Sequence, residues 1–188
     1  MLGRGGLQTV DKHFEQLEYH NDTSAIPDYV SWALRPNGPA IYLHPTPKDY
    51  RAKKGDEGYM APDGIFEATF IIETASPILK LMKNSVGNFG YPYDGLALTA
   101  AAVRRAFLYR RVKLQQLNAT LEPFSCTHVG DMVQIYATTA RALTNRRWDA
   151  LLGLFGALKA VESVAGSGMM DTIDDELNFD IEYIPSSP

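Results

Sequence analysis

The hydrophobic pattern of residues 131–184 changes its period from two to about 3.6 and back to two. A period of two is typical of a half-buried strand, and a period of 3.6 is typical of an amphipathic helix. We therefore expect strand, helix and strand in succession. The first strand is predicted over residues 132–139, which are rich in β-branched and aromatic residues, and the last over residues 177–183.

The helix within this stretch has a recognisable start and a continuous apolar face. Thr144 or Asn145 can cap it, because their side-chain oxygens accept from the free N–H groups of a first turn. A helix is predicted to end near Gly166 or Gly168. Its apolar stripe follows helical spacing and is interpreted as core rather than as a cofactor site: Trp148, Leu151, Leu152, Phe155 and Leu158.

The elements before residue 131 complete an α+β pattern. Residues 65–74 alternate and predict a strand, residues 78–82 a short helix, and residues 96–109 a helix capped by Asp94. Residues 112–124 are interpreted as the end of that helix followed by a strand that closes at Pro123. Residues 125–130 are interpreted as a turn. The order strand, helix, strand, strand, helix, strand predicts a split βαβ, ferredoxin-like fold, with two or three helices on one face of an antiparallel sheet.

The N-terminal third differs in composition from the rest of the chain. Six of the eleven prolines lie in residues 27–62, interleaved with aromatic residues. Proline disfavours helices and central strands, so we expect residues 1–62 to form an extended, partly ordered arm before a single α+β domain over residues 63–188. Tyr29, Trp32 and Tyr42 are the candidate anchors for self-association of this arm into a homo-oligomer.

The sequence shows no targeting signal for secretion and no segment for membrane insertion. The single Cys126 excludes an intrachain disulfide, and no apolar run approaches the roughly 18 to 20 residues needed to span a bilayer. The first thirty residues lack the apolar core of a signal peptide. We therefore expect a cytoplasmic or membrane-peripheral protein.

Charge is unevenly distributed along a chain whose net charge is −4. Basic residues dominate residues 95–147, whereas residues 171–182 hold six acidic residues and no basic one. Clustered arginines attract anionic surfaces, so an anionic membrane or a ribonucleoprotein is the expected partner. The alternative is a solvated helix face that pairs with the acidic segment of the same or another molecule. The candidate binding residues are Arg104, Arg105, Arg110, Arg111 and Lys113.

Catalytic signatures are sparse. Cys126 and His128 are two residues apart and would point the same way on an extended segment, as a thiolate and its base would. His13 and His20 share a helical face, but no further metal ligands accompany them. With no phosphate loop, paired CxxC or nucleophile elbow, we expect no catalytic residue, metal or cofactor. A small ferredoxin-like enzyme that uses Cys126 and His128 remains an alternative.

The order of elements resembles that of rhabdovirus-type matrix proteins. The matching parts are the arm with Ile26-Pro27-Asp28-Tyr29, the strand at 66–72, the helices at 78–82 and 96–109, and the unit from residue 129 onward. Ile26 replaces the first proline of the family's Pro-Pro-x-Tyr motif, and the lysine-rich N-terminus is missing. The resemblance implies a non-enzymatic, self-associating structural or adaptor protein of the virion.

A second resemblance is to small fungal proteins of unknown role that carry a tryptophan-containing helix before a final strand, here residues 148–158. It implies a secreted effector-like binding module whose signal peptide has been removed.

Overall fold

A computed structural model describes residues 2–16, 19, 23–52, 54–80, 89–116, 120 and 123–156. Within these residues the chain forms six α-helices, one 3-10 turn and two short strands. In chain order they are α1 (Leu2–Phe14), the 3-10 turn Thr23–Ala25, α2 (Ile26–Ala33), β1 (Tyr42–His44), β2 (Asp63–Ile65), α3 (Thr69–Leu79), α4 (Tyr93–Gln115), α5 (Cys126–Arg141) and α6 (Asn145–Leu154).

Helix α4 is the centre of the structure and contacts α1, α2, α3 and α5. It is rich in alanine, the residue with the highest helix propensity, and its small side chains let neighbouring helices approach closely. From Leu96 to Phe107 nearly every residue is buried. A helix that is apolar on all sides must be enclosed by other elements, and four helices enclose this one.

The crossing of α1 over α4 depends on Gly6. A Cβ at this position would lie 2.7 Å from the carbonyl oxygen of Ala102 and 2.8 Å from its carbonyl carbon. A Cβ at Gly3 would lie 3.0 Å from the Cβ of Phe124. The N-terminal glycines therefore belong to a regular, packed helix.

The predicted ferredoxin-like sheet is wrong. The described residues contain only a two-stranded antiparallel sheet, in which Tyr42 pairs with Ile65 and His44 with Asp63. Of residues 65–74, predicted as one strand, only Ile65 lies in a strand, at the end of β2, whereas residues 69–74 lie in α3, which also contains Pro77. The apolar residues of this stretch fit an alternating pattern as well as a helical one, which explains the error. The residues that α3 buries follow helical spacing: Phe70, Ile71, Thr74, Ala75 and Leu79.

The strand predicted at 132–139 and the turn predicted at 125–130 are also wrong, because both lie within α5. Its buried residues Val129, Tyr136, Ala137 and Ala140 occupy one helical face, at i, i+7, i+8 and i+11. β-branched residues favour strands only weakly, because their preference depends on the packing around them. Here the burial of one helical face determines the structure instead. For the stretch 112–124, the predicted helix end is confirmed, because α4 continues to Gln115, and the strand predicted to close at Pro123 falls largely outside the described residues.

The start of the helix predicted after Thr144 is confirmed, but its predicted end near Gly166 or Gly168 is wrong, because α6 ends at Leu154, just before Gly156 takes a left-handed conformation with φ 65°. The Thr144 hydroxyl accepts a hydrogen bond from the backbone N–H of Arg147 at 3.3 Å and caps α6. Trp148 is fully buried, and its indole Nε1 donates to the carbonyl oxygen of Ala140 at 3.1 Å. Leu158, Gly166 and Gly168, the acidic segment 171–182 and the strand predicted at 177–183 lie outside the described residues.

The predicted extended arm is wrong for most of its described length. Helices α1 and α2 pack on α4, and β1 pairs with β2. Pro27 lies in the first turn of α2, where the N–H that proline lacks would have no helical partner. Pro27 therefore marks the start of a helix, Pro62 directly precedes β2, and the other prolines of this region lie in the turns and irregular segments between elements.

Candidate functional site

Arg104 is partly buried, and its side chain is bonded within the molecule. Its Nη1 donates to the carbonyl oxygen of Leu34 at 3.0 Å, and its side chain is hydrogen-bonded to the hydroxyl of Tyr136. Burial raises the pKa of Tyr136 above its ordinary value, while the charge of Arg104 and this hydrogen bond oppose the rise. Arg104 thus joins the end of α2 to α5 across the central helix.

Arg105 and Arg110 are also engaged within the molecule. Arg105 is 8% exposed, and its Cζ lies 5.6 Å from the ring centroid of Phe124. The Nη1 of Arg110 lies 3.4 Å from Asp11 Oδ1, and its Cζ lies 5.2 Å from the ring centroid of Phe14. Both contacts fix α4 to neighbouring segments.

Arg111 and Lys113 occupy a different environment, at the end of α4. Residues 111–116 are all exposed, and we call this segment the basic helix end. It also carries Val112 and Leu114, which are 39% and 43% exposed. Of the five basic residues predicted to bind an anionic partner, Arg111 and Lys113 are therefore the two that lie exposed next to aliphatic side chains.

The three predicted self-association residues pack within their own chain. The ring of Tyr29 lies 4.9 Å from that of His13 and 5.6 Å from that of Trp32. The indole Nε1 of Trp32 donates to the carbonyl oxygen of Thr46 at 2.9 Å, and Tyr42 is 5% exposed. These aromatic residues anchor residues 23–52 to the molecule's own core.

Cys126 and His128 lie in the first turn of α5, and both are exposed. Residues two apart on a helix project about 200° apart, so the two side chains do not face each other. The extended geometry in which a thiolate and its base would meet is therefore not formed by these residues.

A cleft of about 310 Å³ lies between α1 and α3, and we call it the α1–α3 cleft. Sequence reasoning missed it. The available signal was helical spacing of polar residues on both helices, but only the folded chain brings the two faces together. Helix α1 contributes Thr9, Lys12 and His13, and Gln16 follows just after its end; helix α3 contributes Thr69, Phe70 and Glu73, and aromatic side chains come from Tyr29 and Tyr42.

Two oppositely charged residues, Lys12 and Glu73, line this cleft. Lys12 Nζ lies 3.8 Å from Glu73 Oε2, and the side chains are 73% and 42% exposed. A hydrogen bond from the Thr74 hydroxyl to the Thr9 hydroxyl, at 3.2 Å, links the same two helices. The cleft therefore has both a cation and an anion available to solvent.

Among the described residues, none of the helices has the length and apolar character to span a bilayer, and no three His, Cys, Asp or Glu residues are grouped as metal ligands would be. No family model, curated protein or solved structure matches the chain.

Proposed function

We propose that the protein is a non-enzymatic, self-associating adaptor that contacts an anionic lipid surface through the basic helix end. The observation that carries the proposal is that the end of α4 is exposed on all sides. Arg111 and Lys113 project about 200° apart with Val112 and Leu114 between them, so the helix would meet a surface with its end and not with one face. Cations attract anionic headgroups, and aliphatic side chains enter the headgroup boundary. A single-stranded nucleic-acid site would instead be expected to offer exposed aromatic rings for base stacking.

The size of the electrostatic contribution explains why self-association belongs to the proposal. One Lys or Arg near an anionic membrane contributes about 1 kcal/mol, so two contribute about 2 kcal/mol, or roughly 30-fold in affinity. A single chain would bind weakly through this segment alone. Several copies joined in one assembly would bind firmly, because each further contact is made at high effective concentration.

Co-sedimentation with vesicles tests the lipid contact. We expect wild-type protein to bind phosphatidylcholine vesicles that contain phosphatidylserine and to bind pure phosphatidylcholine vesicles much less. The double variant Arg111→Glu/Lys113→Glu should lose this binding. The matched control is Lys80→Glu/Arg146→Glu, which makes the same change in net charge at two exposed positions elsewhere.

Equal loss in both double variants would refute a specific role for the basic helix end, since net charge alone would then account for binding. Binding to single-stranded RNA but not to phosphatidylserine would refute the lipid assignment. Light scattering over a range of protein concentrations tests the other half of the proposal. If the protein is a monomer at every concentration, self-association is refuted.

A further inference from the structure

The α1–α3 cleft has the size of a site for a small molecule. Ligand sites are usually clefts of about 300–1,000 Å³, and this cleft, at about 310 Å³, lies at the lower end. It is open to solvent between two helices, so entry requires no rearrangement of the core. A ligand with one ring is the size that fits.

The charged pair in the lining indicates what the ligand carries. Exposed ion pairs contribute only about 0–1 kcal/mol to stability, so the fold does not depend on the contact between Lys12 and Glu73. At a separation of 3.8 Å, the ammonium and the carboxylate can each receive an opposite charge from a ligand. A zwitterion satisfies both, whereas a ligand with one charge leaves a repulsive partner beside it.

The remaining lining indicates a flat, apolar body for the same ligand. The imidazole of His13 lies 4.9 Å from the ring of Tyr29 and 5.0 Å from that of Phe70, and all three residues line the cleft. Aromatic rings that pack at such distances gain about 0.5–1.5 kcal/mol beyond the area they bury. An aromatic ring on the ligand would join this group.

We infer that the α1–α3 cleft binds a small aromatic zwitterion of the α-amino-acid class. Its carboxylate pairs with Lys12, its ammonium pairs with Glu73, and its ring packs against His13, Tyr29 and Phe70. This inference is independent of the lipid contact, because none of these residues belongs to the basic helix end.

Calorimetric titration with four probes tests the assignment: L-tyrosine, tyramine without the carboxylate, 3-(4-hydroxyphenyl)propionate without the amine, and L-alanine without the ring. Lys12→Met should weaken tyrosine and the propionate several-fold and strengthen tyramine, whose ammonium is no longer repelled by Lys12. Glu73→Gln should weaken tyrosine and tyramine several-fold and strengthen the propionate, whose carboxylate is no longer repelled by Glu73. Arg146→Met, at an exposed position outside the cleft, should bind all probes as wild type does.

Urea denaturation of each variant confirms that the fold is retained, which is expected because both charged side chains are exposed. The inference is overturned if L-tyrosine gives no saturable binding, or if Lys12→Met and Glu73→Gln bind it as tightly as wild type. Equal affinity for L-alanine and L-tyrosine would overturn the role of the aromatic wall and with it the assigned ligand class.

Discussion

Replacing Arg104 by methionine tests whether this arginine serves the fold rather than a partner. The substitution retains an unbranched apolar stem in the interior and removes the guanidinium. Two polar groups then lose their donor, namely the carbonyl oxygen of Leu34, in a residue 7% exposed, and the hydroxyl of Tyr136, in a residue 2% exposed. Leaving a buried polar group unsatisfied costs about 1–3 kcal/mol, and partial hydration lowers the sum, so we expect a loss of about 2–4 kcal/mol.

Urea denaturation followed by circular dichroism measures this loss. With a slope of about 2 kcal/mol per molar urea, the midpoint should fall by about 1–2 M in Arg104→Met. The matched control is Arg111→Met, seven residues along the same helix and exposed, which should remain within about 0.5 kcal/mol of wild type. If the two variants unfold at the same urea concentration, the assignment of Arg104 to the interior is refuted.

Three further predictions concern stability. Gly6→Ala should destabilise the protein by about 1–3 kcal/mol, because the added Cβ would lie 2.7 Å from the backbone of Ala102. Gly153→Ala should stabilise α6 by up to about 1 kcal/mol, because an added Cβ there has nothing within 4 Å. Thermal melts of both variants check these two expectations. The pKa of Tyr136 is raised by burial, so above its ordinary value of 10.0 the unfolded chain releases this proton while the folded chain keeps it. The free energy of unfolding should therefore fall as pH rises beyond about 10, and less steeply in Tyr136→Phe, as urea titrations across this range will show. Thr144→Ala should lose about 1 kcal/mol of stability in the same denaturation assay, because the backbone N–H of residue 147 loses its cap.

The helix at Thr144 was predictable because its signals are local. A threonine cap, followed by apolar residues at helical spacing, specifies α6 without reference to the rest of the chain. The segment over residues 65–74 has no such clarity, since its apolar residues fit a strand and a helix equally well. There the decision is made by α4, which offers a long apolar helix for α3 to pack against.

The positions of the arginines could be predicted only in part. Helical spacing correctly places Arg104 and Arg111 on one side of a helix, because they are seven residues apart. It gives no information about burial along the helix axis. Helix α4 has 23 residues and is therefore about 34 Å long, and its last turns, from Arg111 onward, are exposed while its middle is enclosed. Arg104 is thus partly buried between neighbouring elements, whereas Arg111 is exposed at the surface. The α1–α3 cleft was not predictable for a related reason, since residues about 60 positions apart form it only after α1 and α3 have packed on α4.

The apolar residues of the basic helix end distinguish a binding role from a purely structural one. Cations near the C-terminus of a helix stabilise it by about 0.3–1 kcal/mol through the helix dipole, which by itself would account for Arg111 and Lys113. The dipole does not account for Leu114, an aliphatic side chain left 43% exposed beside them. If the segment enters a lipid headgroup layer, Leu114→Ser should weaken binding to phosphatidylserine vesicles by about 1 kcal/mol, or fivefold, and leave the urea midpoint nearly unchanged. If the segment serves only the helix, Lys113→Gln should lower the urea midpoint and Leu114→Ser should leave vesicle binding as it was, and the lipid contact would then be refuted.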